Sequence, residues 1–168
     1  MHISRNVVFT ALMTLGIFSA VVYSSCSKTK CGSVVCQNGS VCESNKCVCA
    51  TGYSGSDCGT QWSTAFLGSY TCTQSCSPIA GASPYTSTIA TYAVSGQDSV
   101  SISNFGGYSI NLVAGVDSNN TIYVSPTATS NITAKGTYNP TTKVLTMRYN
   151  IAVSGGTPVS CNVVMTKQ

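Results

Sequence analysis

Acid–base chemistry is nearly missing from this sequence. One histidine, His2, and four carboxylates, Glu43, Asp57, Asp98 and Asp117, are all that 168 residues provide. His2 lies in an N-terminal segment expected to be removed, so the mature chain has no imidazole to act as base or metal ligand. Glu43 and Asp57 fall in a short cysteine-rich stretch and read as solvated loop residues. Asp98 and Asp117 fall in two turns that open at the same end of an antiparallel β-domain. Two acids at one rim could in principle serve glycoside hydrolysis. The turn role is favoured, because an aspartate side chain caps its own backbone. No serine stands in a G-x-S-x-G elbow, and no base is present to activate one. Cys72 has no visible cation or helix N-terminus to depress its pKa. The chain is therefore expected not to be an enzyme and to need no cofactor.

Charge of either sign is scarce as well, at 7 % of residues, against about 25 % in an average soluble domain. The eight Lys and Arg side chains are scattered, and without a basic cluster to displace counterions no nucleic-acid partner is expected. Also missing, beyond the N-terminal segment, is any long stretch of helical periodicity. In place of charge there are 26 serines and 21 threonines. A surface made polar by hydroxyls suits half-buried strands, since threonine is β-branched and its hydroxyl tolerates water.

The one long apolar run is at the extreme N-terminus. His2 and Arg5 precede an apolar stretch from residue 7 to 22, followed by Tyr23-Ser24-Ser25-Cys26. That order is expected of a signal peptide over 1–25 rather than a spanning helix. A cysteine directly after small residues resembles the lipobox of bacterial lipoproteins, with Tyr23 where leucine is usual. The resemblance, closest to Bacteroidota lipoproteins, implies cleavage before Cys26 and lipidation of that thiol. Ordinary cleavage near Ser24, leaving Cys26 as a free or paired thiol, is the alternative. The address expected is the bacterial cell envelope, at the outer membrane through the lipid anchor on Cys26. The tether that follows, 26–30, is basic at Lys28 and Lys30. Surface export in such bacteria goes with acidic residues there, so a surface or a periplasmic side both stay open.

Ten cysteines are present, six of them between Cys31 and Cys58 in the pattern C-x4-C-x5-C-x4-C-x-C-x8-C. The last stretch reads Cys49-Ala-Thr-Gly52-Tyr53-Ser-Gly55-Ser-Asp-Cys58. This spacing resembles an EGF-like module over 31–59, and it requires an oxidising compartment. The resemblance implies the pairs Cys31–Cys42, Cys36–Cys47 and Cys49–Cys58. Such a module has almost no apolar core, and each closed loop of this size contributes on the order of 3 kcal/mol in the chain-entropy model. Calcium-binding members of the family carry acidic and amide residues before the first cysteine. Lys28, Thr29 and Lys30 stand there instead and would repel a cation, so no calcium and no other metal site is expected.

From Trp62 onward, runs of seven to ten residues alternate apolar and polar between Gly, Pro, Asn and Asp, the pattern of an all-β domain. Eight strands are predicted, at 66–76, 85–94, 99–104, 109–116, 121–125, 131–138, 143–153 and 159–167. Every connection is short, so sequential strands should be antiparallel neighbours. Leu145, Met147, Tyr149, Ile151 and Val153 form one apolar face, joined by Ile110, Leu112, Ala114 and Val116 and by Cys161, Val163 and Met165. An up-and-down barrel over 61–168 closes such a set without exposed edges.

In that topology the first strand ends where the last begins, which puts Cys76 beside Cys161. A Cys76–Cys161 bridge is predicted, with Cys72 a buried free thiol near Met165. A local Cys72–Cys76 link is the alternative. Phe66-Leu-Gly68-Ser-Tyr70-Thr71, the segment Gly136 to Thr146 with its Asn139-Pro140-Thr-Thr turn, and Cys161 together resemble lipocalin-like (calycin-type) domains attached to EGF-like modules in small Bacteroidota lipoproteins. That likeness implies no particular ligand.

The seven tyrosines of the β-domain, Tyr70, Tyr85, Tyr92, Tyr108, Tyr123, Tyr138 and Tyr149, beside serine, threonine and asparagine make a composition suited to adaptable recognition. Phe105 and Tyr108, flanking Gly106-Gly107 at a loop tip, are the residues expected to face out to a ligand. The function expected is a lipid-anchored envelope protein that binds or adheres without catalysis, with the EGF-like module as spacer and the barrel as recognition head. The partner would be a glycan, a protein or a small apolar ligand. A lipocalin-like carrier and a purely structural envelope component are the alternatives.

Overall fold

A computed structural model describes residues 30–78, 80, 81, 83–92, 98–127, 131–152 and 155–168. The predicted signal peptide, Cys26 and residues 27–29 of the tether lie outside the described residues, as do Val94 and Val153. Among the described residues no helix is long and apolar enough to cross a membrane. The fold is all-β, a disulfide-rich module followed by a closed eight-stranded antiparallel barrel.

The module has too few residues to build a core, and its strands are correspondingly short. β1 (Lys30–Cys31) pairs with β2 (Val34–Val35), β3 (Val41–Glu43) with β4 (Lys46–Val48), and β5 (Tyr53–Ser54) with β6 (Thr60–Gln61). Its buried hydrophobic residues are Cys31, Cys36 and Cys58. Cross-links replace packing: Cys31–Cys42, Cys36–Cys47 and Cys49–Cys58 close loops of 11, 11 and 9 residues. Asn38 and Gly39 turn at φ 53 and 72, and Asn38 Nδ2 donates to the Cys58 carbonyl at 2.8 Å. Asp57 is occupied inside the module. It accepts from Gln37 Nε2 at 2.7 Å and from the Gly59 amide at 3.1 Å.

The barrel strands are β7 (Gly68–Ser77), β8 (Tyr85–Thr91), β9 (Ser99–Phe105), β10 (Ile110–Val116), β11 (Thr121–Val124), β12 (Ile132–Asn139), β13 (Val144–Ile151) and β14 (Val159–Lys167). Each pairs antiparallel with the next, and β14 returns to β7 in continuous register from Ser160↔Ser77 to Lys167↔Tyr70. Alternation decides which residues enter. Leu145, Met147 and Tyr149 of β13 are buried while Thr146, Arg148 and Asn150 face water, and Cys161, Val163 and Met165 of β14 join the same core. Gly136 also points inward, and a Cβ there would come within 2.7 Å of the Thr146 carbonyl oxygen. Only glycine lets β12 and β13 lie that close.

The two ends differ. At the module end the chain enters through a short 3-10 helix, Trp62–Ala65, and the first barrel strand starts at Gly68 rather than at residue 66. Phe66 is withdrawn from the strand to plug the barrel: it is fully buried, its ring 5.5 Å from that of Tyr138. Tyr70 Oη donates to the Phe66 carbonyl at 2.6 Å. Lys167 Nζ donates to the Ala65 carbonyl at 3.1 Å and lies 5.7 Å from the centre of the Tyr138 ring. Burial, with Lys143 nearby, lowers the Lys167 pKa from its ordinary value. At the opposite end β7, β9, β11 and β13 finish and β8, β10, β12 and β14 begin.

Candidate functional site

At the far end, the inward positions of β7 run Tyr70, Cys72, Gln74, Cys76. Gln74 is the one long polar side chain in that series, and it closes the mouth. Its Oε1 accepts from Tyr149 Oη at 2.9 Å and its Nε2 donates to the Gly106 carbonyl at 3.0 Å. Its backbone amide donates to Ser83 Oγ at 3.3 Å. Beside it the Cys76–Cys161 disulfide joins the first barrel strand to the last across a separation of 85 residues. Burial pushes the Tyr149 hydroxyl up to about 12, Tyr108 adds to the rise, and the bond to Gln74 opposes it.

Cys72 is a free, fully buried thiol opposite Met165. Burial raises its pKa from 9.0 to about 11, and hydrogen bonds with the Tyr85 side chain and the Ser87 backbone only partly offset that. A thiol held protonated at neutral pH is neither a nucleophile nor a metal ligand. The sulfurs of Cys31, Cys36 and Cys47 lie within 4.8 Å of one another, but each is consumed in a disulfide.

Phe105 does not face out, which corrects the expectation from the loop sequence. It is 4 % exposed and its ring centre is 4.8 Å from that of Tyr149. The cause is a phase slip in β9. Val100 and Ile102 point inward by strict alternation, but Asn104 adopts φ 52, and the β9–β10 register shifts between Ile110 and Leu112. The bulge reverses parity, and the next residue turns into the barrel. Tyr108 does face out, at 43 % exposed. Its ring covers Gly106, where a Cβ would come within 2.9 Å of both Tyr108 and Tyr149 Oη.

The acids Asp98 and Asp117 are brought together at the module end, where the Val116 amide donates to the Asp98 carbonyl at 2.7 Å. Asp117 Oδ1 accepts from the Asn119 and Thr121 amides at 2.8 and 3.0 Å, holding the β10–β11 turn. Asp98 Oδ1 accepts from Ser99 Oγ at 3.5 Å. No nucleophile is positioned against either by these contacts.

A groove of about 320 Å³ opens where the module meets this rim. Ser54, Thr60 and Gln61 line one side, Asp117, Ser118 and Asn120 the other, with Trp62 between them. Trp62 Nε1 is buried without a hydrogen-bond partner among the described residues. Hydroxyls, amides and one carboxylate beside an indole suit a small polar molecule, and junctions between modules are common places for such grooves. Sequence reasoning passed over Gln74 and this groove. Gln74 had a signal, as a lone long amide on the apolar phase of a strand. The groove had none, since it is made by residues more than fifty positions apart. No protein family, curated protein or solved structure matches the chain.

Proposed function

We propose that this is a lipid-anchored cell-envelope protein with a non-catalytic binding or adhesion role. In this reading Cys26 carries the lipid on the outer membrane, the EGF-like module is a calcium-free spacer, and the lipocalin-like barrel is the recognition head. One observation carries it: the barrel interior is occupied by the protein's own side chains. Tyr70, Tyr149, Ile102, Ile122, Leu145 and Met165 pack into a single cluster, and Gln74 bars the mouth between Tyr149 and Gly106. A carrier of apolar ligands needs that volume free, because eight strands leave room for at most one small molecule. Recognition is thereby left to the outer surface, which is coated with hydroxyls and amides and reached without opening the fold. Asp57, Asp98 and Asp117 are occupied by contacts within the module and in turns, in keeping with a role that involves no chemistry.

The test has two parts. Protease shaving of intact cells should release barrel peptides, since a head facing the periplasm cannot serve adhesion. The purified protein should then bind members of a glycan and extracellular-matrix array. An array with no signal above background overturns the recognition role.

A further inference from the structure

The outer wall of the barrel carries an arrangement that folding does not explain. Lys135 of β12 and Arg148 of β13 are register partners, directly opposite one another and both exposed. Side chains in that relation have Cβ atoms about 5 Å apart, and like charges so placed repel. Neither is neutralised by an ion pair among the described residues, and the barrel's two acids sit in turns at the module end. A chain with eight cations in 168 residues has set two of them side by side on a wall made largely of hydroxyls and amides, with Val113, Val164 and Tyr123 exposed among them.

The neighbours in the same cross-strand row are ordered around the pair. Arg148 Nε donates to Asn162 Oδ1 at 2.9 Å, and Asn162 is the next register partner, on β14. That bond fixes the guanidinium and leaves its terminal nitrogens for an oxyanion. On the other side Tyr123 is the register partner of Lys135. Its ring lies over Gly115, where a Cβ would overlap it, and it is 43 % exposed. The Tyr123 ring reaches over β10 and the Arg148 guanidinium toward β14, so with strands about 4.8 Å apart the row extends over up to four spacings, on the order of 19 Å, room for several sugar rings. Thr133, Thr137, Thr146 and Asn150 flank it, all exposed.

We infer that this row is a binding site for an acidic glycan, with Lys135 and Arg148 on its sulfate or carboxylate groups and Tyr123 as the stacking face for a sugar ring. The flat aromatic and the surrounding hydroxyls fit saccharide rather than acyl chain. This rests on the recognition reading above and gives it a place and a ligand class.

The test uses the whole protein with heparin, polygalacturonate and neutral dextran at low salt. Parent protein should bind the first two and not dextran. K135T and R148T should each weaken binding at least tenfold, and Y123T should weaken it while leaving the salt dependence unchanged. At millimolar concentration, where the general stabilising effect of sulfate on folded proteins is small, inorganic sulfate should raise the melting temperature of the parent, relative to chloride at equal ionic strength, and not that of the double variant K135T/R148T. The double variant should melt no lower than the parent, because a repulsion has been removed. Unchanged polysaccharide binding in the double variant, or a melting temperature several degrees lower, overturns the inference. A blank glycan array together with a sulfate effect confined to the parent would sink the recognition head and leave an anion site standing.

Discussion

Removing the Cys76–Cys161 cross-link is the sharpest probe of how the barrel is held. The perturbation is C76A/C161A, which leaves the three module disulfides in place. The bridge spans 85 residues, so in the chain-entropy model its loss frees the unfolded barrel by about 4.6 kcal/mol. The native state should change little, since β14 and β7 still share the register from Ser160↔Ser77 to Lys167↔Tyr70. Domains of this size have a total stability of about 5–15 kcal/mol, so the variant should remain folded but with a small margin. Urea unfolding without reductant, followed by fluorescence of the single tryptophan, Trp62, measures the difference. With a slope of about 1.5 kcal/mol per molar urea, the midpoint should fall by roughly 3 M at unchanged slope. C72A is the control, because it removes a sulfur and keeps the cross-link. A shift below about 1 kcal/mol, or disulfide mapping of the parent that pairs Cys72 with Cys76, would refute the reasoning.

Two further outcomes follow from the core. Burial raises the pKa values of Tyr70, Cys72, Tyr85 and Tyr149. Above pH about 9 the unfolded chain therefore releases protons that the native chain keeps. Stability should be fully present below that point and be lost as pH rises, by about 1.4 kcal/mol per pH unit for each group involved. Urea midpoints between pH 8 and 11 check this, with a shallower slope in C72A; a flat profile contradicts it. Gly136→Ala should cost about 1–3 kcal/mol through overpacking, since the new methyl meets the Thr146 carbonyl, a backbone atom that cannot move aside without disturbing the β12–β13 register. A Tm equal to the parent's would show that the two strands can separate at no expense.

Much of the architecture was legible because it follows from period and parity. Residues alternating along β13 and β14 could enter a core on one phase only, and short connections left antiparallel neighbours as the sole pairing. The same topology set Cys76 opposite Cys161, as the register has them. The departures occur where a residue breaks the period. Phe66 leaves the strand pattern to become a plug held by Tyr70, and its position in sequence looks like the first residue of a strand. Asn104 slips the phase of β9 and turns Phe105 inward. A left-handed asparagine beside two glycines was compatible with a plain hairpin loop, and sequence alone does not reveal the bulge.

The Lys135–Arg148 pair was illegible for another reason: adjacency across strands depends on turn length. The two residues are register partners because the 140–143 turn has its present length. Asn139 Oδ1 accepts from the Thr141 and Thr142 amides at 2.9 and 3.2 Å, and Lys143 closes the turn at φ 57. A slip of one residue would put Leu145, Met147 and Tyr149 in water, which the core forbids. A slip of two would keep every buried residue buried and set Lys135 opposite Thr146 or Asn150 instead. Packing therefore allows several wall arrangements, and the turn selects the one that places two cations side by side. When burial is indifferent to a choice that costs electrostatic energy, the reason is to be sought outside the fold, in what the wall meets.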